Sequence, residues 1–516
     1  MKRSQPKKLQ TFFLNLFLSF LATFTCLALL EISSRILNAT VLKNKIAETD
    51  IRTKFEQAFI PPLIPKDPTS LRVFVYGGST VQGLPFPKVG LVPQLDHLLH
   101  QVAGEKRLVE VTNFGWSGHN STIIRFLISR TISESPDLLI VYTGHNEFIY
   151  PQLDSYYFLK ALTFLKNKSG LVKMALTLKS TISQKEPALE EPLDKKRPPY
   201  RKTKVFFPLK MLLFKQNMQA IVNLAQKAKI PLILCTDASN IADWPPVQRN
   251  TTTIANPKDY QETLEKIKTL LQQNLLEEAN PLAASALLKY PQDAPLFFLA
   301  AQTASKSGQV QQARDFYIMA KDFDLIPWRA TTNQNDFIRS LEDKKIVWVA
   351  DIESEFFSHS PQNLPGFSLF VDNVHPTKEG NYLIAKTILD LLKKEKIVKK
   401  DWWQNAPPPL TLAEFLKKIE FSPQDKFEIN LEAARYSLKN PFFQFKIAQD
   451  YLNKAEKINP QSWKIKALNA GLAFLQNNQG QASVFLAEAL KLNRFPFNLE
   501  QILEIPYLSQ FLSIKQ

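Results

Sequence analysis

Ser79 is the first residue whose type and position suggest catalysis. It follows Gly77 and Gly78 after a short apolar run, residues 72–76, of the kind that forms a buried strand. Open α/β sheets bind ligands at the carboxyl ends of their strands, and glycines there allow a tight turn that exposes a hydroxyl group. Val81 stands where the nucleophile elbow of α/β-hydrolases has its second glycine, which excludes that motif. Taken alone, the block is equally consistent with an ordinary strand-to-helix turn.

A candidate general base lies far along the chain, at His375. Asp372 precedes it by three residues, so the carboxylate can accept a hydrogen bond from Nδ1 and leave Nε2 free to take a serine proton. The chain has 6 histidines, and the others lack so close an acidic partner at the right place. Metal binding by His119 with His145 is an alternative use of two of them. No Cys/His set has zinc-ligand spacing, and no metal is predicted.

Two further blocks supply candidate donors for the oxygen of an attacked carbonyl. Residues 113–120 (NFGWSGHN) and 142–148 (YTGHNEF) each follow a predicted strand and so belong at the same sheet edge as Ser79. The backbone N–H of Gly118 and the side-chain amide of Asn146 are suited to stabilise a developing oxyanion. One such donor is worth on the order of 3 kcal/mol. As turn residues alone, both blocks would be unremarkable.

The four blocks occur in a fixed order: GGS at 77–79, a glycine at 118, GxN at 144–146 and DxxH at 372–375. Together they resemble the motifs of the SGNH hydrolases, the superfamily also called GDSL esterases and lipases. The resemblance covers roughly residues 70–255 and 325–396.

The resemblance implies a role for each matching residue. Ser79 would be the nucleophile, Gly118 and Asn146 the oxyanion donors, and Asp372 with His375 the rest of a catalytic triad. It also implies a flavodoxin-like fold, no cofactor, and cleavage of acyl esters or removal of acetyl groups from sugars.

Two positions depart from the family pattern. Gly78 replaces the usual acidic residue of GDS, which we expect to alter local hydrogen bonding more than catalysis, and Glu147 stands where aspartate often follows the asparagine. The combination of GGST, GHNEF and helical repeats is similar to a bacterial subgroup of SGNH proteins fused to tetratricopeptide repeats. On this interpretation residues 235–246 form another active-site loop, with Asn240 as a possible substrate contact. Arg329 is a second candidate contact, for an anionic substrate or as a loop anchor, with an ordinary ion pair as the alternative.

Five short runs rich in β-branched and aromatic residues predict the strands that position these blocks: 72–76, 109–113, 138–143, 231–236 and 346–350. Helical patterns lie between or after them, at 92–102, 123–133, 209–229 and 377–394. Strands alternating with helices indicate a parallel sheet covered on both faces. The predicted fold is therefore α/β, a flavodoxin-like three-layer parallel sheet.

Helical segments accompany this sheet. Residues 258–325 carry small residues at helical spacing with Gly308 at a bend, as in a tetratricopeptide hairpin. Near the C-terminus, Ala448, Leu452 and Ala455 recur 34 positions later as Ala482, Leu486 and Ala489, which is the tetratricopeptide period. A generic helical bundle is the alternative. Such repeats commonly present a concave surface to a protein partner.

The predicted organisation has five parts. These are a cytoplasmic tail with a transmembrane helix (1–35), a connector (36–68), the hydrolase domain (69–257 and 325–398), an inserted tetratricopeptide-like helical hairpin (258–324) and C-terminal tetratricopeptide-like repeats (405–516). Within the hydrolase domain, residues 153–205 are interpreted as an insertion. Its later half is Pro-rich and charged and is expected to be a mobile loop, and its earlier half is either a lid, a membrane-facing helix or a core helix.

The N-terminal segment predicts the location of the protein. Residues 9–30 are about 22 residues without a charge, and at ~1.5 Å per helical residue they match a bilayer core of roughly 30 Å. Lys2, Arg3, Lys7 and Lys8 precede this segment and favour a cytoplasmic N-terminus, which places the rest of the chain outside the cytoplasm. A cleaved signal peptide is the alternative.

Charge composition limits the classes of partner. The chain has 516 residues, with 64 Lys+Arg against 48 Asp+Glu and a net charge of +16. The surplus is dispersed, and no basic cluster lies on a recognisable nucleic-acid-binding module, so we expect no nucleic-acid partner. A more specific interpretation of the same positive charge is attraction to anionic lipid headgroups or acidic envelope polymers.

Three functional hypotheses follow from the sequence. The first is a membrane-anchored serine esterase, with envelope carbohydrate esters as a plausible substrate. The second keeps the same triad but transfers the acyl group to another alcohol. The third is a scaffold whose helical repeats bind a protein partner while the hydrolase domain is incidental.

Overall fold

The computed structural model describes residues 59–104, 107–148, 206–247, 256–398, 403, 406–438 and 444–492. Apart from Phe59, these residues belong to one compact unit, 60–150 with 198–516. The predicted membrane segment (9–30) and the whole of the predicted insertion at 153–205 lie outside the described residues. Within the described ranges, no helix combines the length and apolarity needed to cross a bilayer.

The described residues contain a sheet of five parallel strands: β1 (Leu71–Gly77), β2 (Val109–Gly115), β3 (Leu138–Tyr142), β4 (Leu232–Cys235) and β5 (Val347–Ala350). All five coincide with predicted strands. Their order across the sheet is β2-β1-β3-β4-β5. This is the order of the flavodoxin-like doubly wound fold, so the predicted α/β sheet is confirmed.

The helices of the described residues fall into three stretches of the chain. Those that alternate with the first four strands are α1 (Ser79–Gln82), α2 (Leu91–Ala103), α3 (Ser121–Thr131) and α4 (Phe206–Ala228). Those between β4 and β5 are α5 (Pro257–Gln272), α6 (Leu276–Lys289), α7 (Ala294–Lys306), α8 (Val310–Asp322) and α9 (Thr332–Ser340). Those after β5 are α10 (Ile352–Ser358), α11 (Lys378–Lys394), α12 (Leu412–Lys418), α13 (Pro423–Ser437), α14 (Phe445–Glu456), α15 (Trp463–Leu475) and α16 (Gln479–Leu492).

Strand β1 is buried along its whole length because helices cover both faces of the sheet. Val73 and Val75 point to one face, where they join a core built with apolar residues of α2 and α11. Phe74 and Tyr76 point to the other face, and the Tyr76 hydroxyl bonds the Thr131 hydroxyl at the end of α3 at 2.6 Å. Alternation of side chains along a strand accounts for this division. The result is the predicted three-layer arrangement.

The helices between β4 and β5 include a closely packed pair, α7 and α8. Ala301 and Ala304 of α7 meet Ala313 and Ala320 of α8 in one buried cluster. Gly308 joins the two helices with φ of +75°, a left-handed conformation that glycine adopts without strain. The two helices on either side of Gly308 therefore pack closely, as the small residues in the sequence predict.

The C-terminal helices form two successive hairpins, α13 with α14 and α15 with α16. Ala448 and Ala455 on α14 are buried, as are Ala482 and Ala489 at the matching positions of α16. The residues that repeat along the sequence thus occupy equivalent positions in successive hairpins. This cluster of helices also encloses Val371, which belongs to the segment between α10 and α11.

Candidate active site

Ser79, Asp372 and His375 meet at the carboxyl edge of the sheet. The Ser79 Oγ lies 2.7 Å from His375 Nε2, across 296 positions of sequence. On the other side of the imidazole, His375 Nδ1 lies 2.6 Å from an Asp372 carboxylate oxygen. Since an ionised carboxylate only accepts hydrogen bonds, Nδ1 donates to it and Nε2 accepts from the serine hydroxyl. This is the connectivity of a serine–histidine–aspartate triad.

Backbone groups hold the Asp372 carboxylate in place. Its other oxygen accepts the N–H groups of Val374 and His375, each at 2.8 Å. The N–H of Val371 in turn donates to the carbonyl of His375 at 2.9 Å, which closes the loop upon itself. Because these three hydrogen bonds fold the short loop 371–375 tightly, aspartate and histidine three positions apart reach the same side of it. The spacing seen in the sequence therefore has a structural basis.

Ser79 lies just after the end of β1, at the first residue of α1. Gly77 pairs with Gly115 of β2 and with Tyr142 of β3, so the ends of the three strands are level and their loops lie side by side. A side chain at Gly77 would come within 2.5 Å of the Tyr142 carbonyl oxygen. Close strand packing thus requires a glycine immediately before the turn that carries Ser79.

The two predicted oxyanion donors flank this turn. The Asn146 amide donates to the carbonyl of His119 at 2.9 Å, which ties the loop after β3 to the loop after β2 and leaves its second N–H for another acceptor. A Cβ added to Gly78 would lie 2.6 Å from the same amide nitrogen, so that amide lies close to the nucleophile's own turn. Gly118 has φ of +80°, which favours glycine at this point of the loop.

The chain is similar to solved ester hydrolases. An acetyl xylan esterase shares 12% identity with a TM-score of 0.29, over 62% of this chain and 99% of the esterase. A GDSL-like lipase from Bacteroides thetaiotaomicron VPI-5482 shares 12% identity with a TM-score of 0.28, over 66% of this chain and 96% of the lipase. A catalytic mutant of an acetylxylan esterase from Geobacillus stearothermophilus shares 12% identity with a TM-score of 0.26, over 62% and 94%.

No family model and no curated protein matches the chain. Similarity at these identities and TM-scores carries no argument about activity. The strand order identifies the fold.

Gly78, the departure from the GDS pattern, is explained by the position of Asn146. The separation of 2.6 Å between a Cβ at position 78 and the amide nitrogen leaves no room for an acidic side chain unless the amide moves. The Asn146 amide here occupies space that a side chain at position 78 would need. This agrees with the expectation that the substitution changes local hydrogen bonding.

Glu147 holds the loop that carries Asn146, and the sequence predicts no such role for it. One of its carboxyl oxygens accepts the N–H of Ser121 at 2.6 Å and the other contacts the Ser121 hydroxyl at 2.9 Å. Asn217 of α4 donates to the hydroxyls of Ser121 and Thr122, which completes a buried polar network. The network joins the loop after β3 to the start of α3. The signal in the sequence was the location of Glu147 directly after Asn146.

Burial raises the pKa of the Glu147 carboxyl from its ordinary 4.5 to about 7. Between pH 4.5 and pH 7 the folded protein therefore keeps a proton that the unfolded chain has lost, and stability falls as pH rises through this window. The loss is at most about 1.4 kcal/mol per pH unit for one proton.

We expect Glu147→Gln to remove this component of the pH dependence, since glutamine resembles the neutral acid in shape and hydrogen bonding. The free energy of unfolding of the full-length protein, measured in urea at several pH values from 5 to 8, checks the expectation. The difference in free energy of unfolding between wild type and Glu147→Gln should change by at most about 1.4 kcal/mol per pH unit below pH 7. Parallel pH profiles for the two proteins would contradict the assignment.

Asn240 and Arg329, the two possible substrate contacts, are both buried. Asn240 donates from its side chain to the Asp372 carbonyl at 3.1 Å and from its backbone N–H to the Asn373 carbonyl at 3.0 Å. Arg329 donates to the carbonyls of Asn240 and Trp244, each at 2.9 Å, and lies 3.8 Å from a carboxylate oxygen of Asp324. These contacts place the two side chains between the loops around the site, in keeping with the loop-anchor and ion-pair interpretations of Arg329, and substrate contact by Asn240 or Arg329 stays a prediction.

A second histidine–aspartate pair lies beneath the nucleophile. His145 Nδ1 accepts the N–H of Ala330 at 3.0 Å, and its Nε2 lies 3.6 Å from an Asp237 carboxyl oxygen. Burial lowers the pKa of the His145 imidazole to about 3 and raises the pKa of the Asp237 carboxyl. The His145 imidazole is therefore neutral near pH 7. With Ser79 and other neighbours, His145 and Asp237 line a small cavity of about 10 Å³.

This pair also explains the glycine of the GxN block. A Cβ at Gly144 would lie 2.1 Å from the Asp237 carboxyl, so only glycine permits their close approach. Burial lowers the pKa of the His119 imidazole to about 3 as well. Within the described ranges, no group of three or more His, Cys, Asp or Glu side chains is arranged to hold a metal ion.

Proposed function

We propose that this chain is a serine ester hydrolase of the SGNH type. The observation that carries the proposal is the 2.7 Å contact between Ser79 Oγ and His375 Nε2, with Asp372 on the opposite side of the imidazole. A hydroxyl bonded to an imidazole that is itself oriented by a carboxylate is the arrangement that activates serine as a nucleophile. The order and spacing of the four sequence blocks support the same assignment.

The geometry supports a two-step reaction. Ser79 Oγ attacks the acyl carbonyl carbon while its proton passes to His375 Nε2, and the carbonyl oxygen becomes an oxyanion. The free N–H of the Asn146 amide and the backbone N–H of Gly118 are the proposed donors to that oxyanion. The imidazolium then returns the proton to the departing alcohol. Water activated by the same imidazole cleaves the acyl-enzyme, so the products are one acid and one alcohol.

Covalent trapping tests the proposal without knowledge of the natural substrate. A fluorophosphonate should phosphonylate the full-length protein once, and peptide mass spectrometry should place the adduct on Ser79. Ser79→Ala should take up no label, whereas Ser117→Ala, which alters a serine of the neighbouring loop, should label normally. Absence of labelling in the wild type, or an adduct on another residue, would overturn the proposal. Release of free acid from a short acyl ester in water separates hydrolysis from acyl transfer.

The proposed substrate class is an acylated carbohydrate of the cell envelope. Trp116 supports it because its indole is 38% exposed beside the site, on the loop that carries Gly118. Two bonds hold the backbone of that loop: Trp116 donates its N–H to the Gly77 carbonyl at 3.3 Å, and Ser117 donates to the Gln82 side chain at 2.8 Å. A fixed, exposed aromatic ring is suited to contact the apolar face of a sugar.

We expect Trp116→Ala to raise KM for an acetylated oligosaccharide by about tenfold, since an aromatic contact is worth on the order of 1 kcal/mol. KM for p-nitrophenyl acetate should change by less than about twofold, because that ester has no sugar ring to contact. Steady-state kinetics with the two substrates measure both values. An equal change for both esters would argue against a sugar-binding role.

The proposed location is the outer face of a membrane. Residues 9–30 would cross the bilayer once, with the basic residues before them in the cytoplasm and the catalytic residues on the far side. A fusion of alkaline phosphatase to the C-terminus tests this topology because that enzyme needs an oxidising compartment for its disulfides. An inactive fusion would contradict an extracytoplasmic catalytic domain. Extraction of the protein by salt or carbonate without detergent would contradict anchoring.

The helical hairpins α7–α8 and α13–α16 are proposed to be tetratricopeptide-like repeats. The equivalent burial of Ala448 with Ala482, and of Ala455 with Ala489, supports this for the C-terminal pair. Repeats of this kind commonly bind protein partners, and a protein partner on these helices is therefore part of the proposal.

A further inference from the structure

The C-terminal helices reach the residues that activate the nucleophile. The ring of Tyr436, near the end of α13, lies 5.1 Å from the His375 imidazole, centroid to centroid, at an interplanar angle of 89°. The Tyr451 hydroxyl of α14 donates to the carbonyl of Val371 at 2.7 Å. Val371 directly precedes Asp372 in the loop 371–375. Two tyrosines from one helical hairpin therefore contact this loop at its beginning and at its catalytic end.

These contacts are parts of larger buried clusters. Val371 packs among apolar residues of α13, α14 and α15, including Leu431 and Leu468. Tyr436 packs with Trp244, Trp328 and Phe367, and Phe367 shortly precedes the same loop in the chain. Burial raises the pKa of the Tyr451 phenol, so it stays protonated and able to donate. The hairpin therefore contacts the loop through both apolar packing and a hydrogen bond.

The loop 371–375 is held by two separate parts of the chain. Asn240 from the loop after β4 bonds the carbonyls of Asp372 and Asn373. Tyr436 and Tyr451 of the hairpin α13–α14 contact His375 and Val371. The loop has no helix or strand ladder beyond the single bridge between Phe370 and Pro376. The position of the loop therefore depends on the groups that enclose it. The 2.7 Å distance between His375 Nε2 and Ser79 Oγ depends on them in turn.

We propose that the hairpin α13–α14 is a working part of the active site, in which Tyr436 and Tyr451 are positioning residues for His375 and Asp372. This rests on the proposed function of the triad. The hairpin is then part of the catalytic machinery and not an independent scaffold.

Tyr436→Leu in the full-length protein tests the proposal. A misplacement of about 1 Å at a catalytic group costs on the order of 100-fold in rate, so we expect kcat for p-nitrophenyl acetate to fall between about 10-fold and 100-fold. KM should stay within about twofold because Tyr436 acts on His375 and not on the ester. Tyr436→Phe keeps the ring and should restore kcat to near the wild-type value. Tyr451→Phe removes only the bond to Val371 and should lower kcat severalfold.

Phe415→Leu is the matched control. Phe415 is a buried aromatic residue of α12 whose ring contacts that of His97, and it lies outside the hairpin α13–α14 and outside the cluster that encloses Val371. Its replacement should lower the thermal midpoint at least as much as Tyr436→Leu while kcat stays unchanged. Equal loss of kcat in both variants would show a general effect of destabilisation and overturn the proposal. So would an unchanged kcat in folded Tyr436→Leu.

The rate of fluorophosphonate labelling gives a second readout that needs no substrate. Labelling of Ser79 requires an oriented His375, so Tyr436→Leu should label about 10-fold to 100-fold more slowly than wild type. If wild type labels at Ser79 and the variant labels equally fast, the positioning role fails while the hydrolase assignment stands. If wild type does not label at all, the hydrolase assignment itself fails.

Discussion

Asp372→Asn is expected to lower kcat/KM for a short acyl ester by about 10⁴-fold while leaving the fold intact. An asparagine oxygen can still accept the backbone N–H groups that reach Asp372 from Val374 and His375, each at 2.8 Å. The amide NH₂ then faces His375 Nδ1 in place of the carboxylate oxygen that now lies 2.6 Å away. A donor in that position forces the proton onto Nε2, which can no longer accept the serine proton. Steady-state hydrolysis of p-nitrophenyl acetate measures the loss.

Two further variants show whether the loss arises from the triad. Ser79→Ala should fall to a similar residual rate, and the double variant with Asp372→Asn should be no slower than Ser79→Ala alone, because triad members act as a unit. Asp293→Asn is a matched control, since Asp293 is also a buried aspartate but caps α7 in the inserted helices. It should keep full activity. Multiplicative losses in the double variant would argue that Asp372 acts apart from Ser79.

Asn146→Ala is expected to lower kcat by about 10²-fold to 10³-fold, with a much smaller change in KM. The loss of one oxyanion donor costs about 3 kcal/mol in the transition state, where the charge on the oxygen is greatest. The variant also loses the 2.9 Å bond to the His119 carbonyl. A thermal melt should therefore accompany the kinetics, to measure how much of the change comes from the loosened loop.

Gly78→Ala provides an independent test of the same amide. Its new Cβ would stand 2.6 Å from the Asn146 amide nitrogen, so the amide must move while the backbone remains in place. We expect a fall in kcat of about tenfold or more with a small loss of stability. Gly77→Ala is the contrasting variant, because its Cβ would meet the backbone oxygen of Tyr142 at 2.5 Å and destabilise the sheet. Unchanged kcat in Gly78→Ala would argue against Asn146 as an oxyanion donor.

Local patterns in the sequence were sufficient to predict the sheet. Each strand is a short run of β-branched and aromatic residues, and burial on both faces of a parallel sheet makes such runs continuous. Because parallel strands all end at the same edge, the blocks that follow them had to lie near one another. This is why the sequence alone predicts that Ser79, Gly118 and Asn146 lie near one another. The spacing of Asp372 and His375 was equally local.

Roles that depend on long-range packing are not determined by local patterns. From the sequence, Arg329 is a candidate substrate contact, loop anchor or member of an ion pair, and in the structure it donates to the backbone carbonyls of Asn240 and Trp244. Glu147 was noted only as a departure from a motif, and its partner Ser121 lies in a different loop. The local sequence around Arg329 and Glu147 does not identify their partners, because both sets of contacts form only when separate loops meet.

By itself, the sequence determined the strands, the loops that follow them, the identity of the groups able to do chemistry, and the helical repeat of 34 residues. Short-range sterics and the periodicity of apolar residues encode all of these. Only the tertiary structure decided that His375 reaches Ser79, that Glu147 fastens the oxyanion loop, and that Tyr436 and Tyr451 enclose the catalytic loop. Such contacts join residues far apart in the chain, and their geometry depends on how whole layers and hairpins pack together.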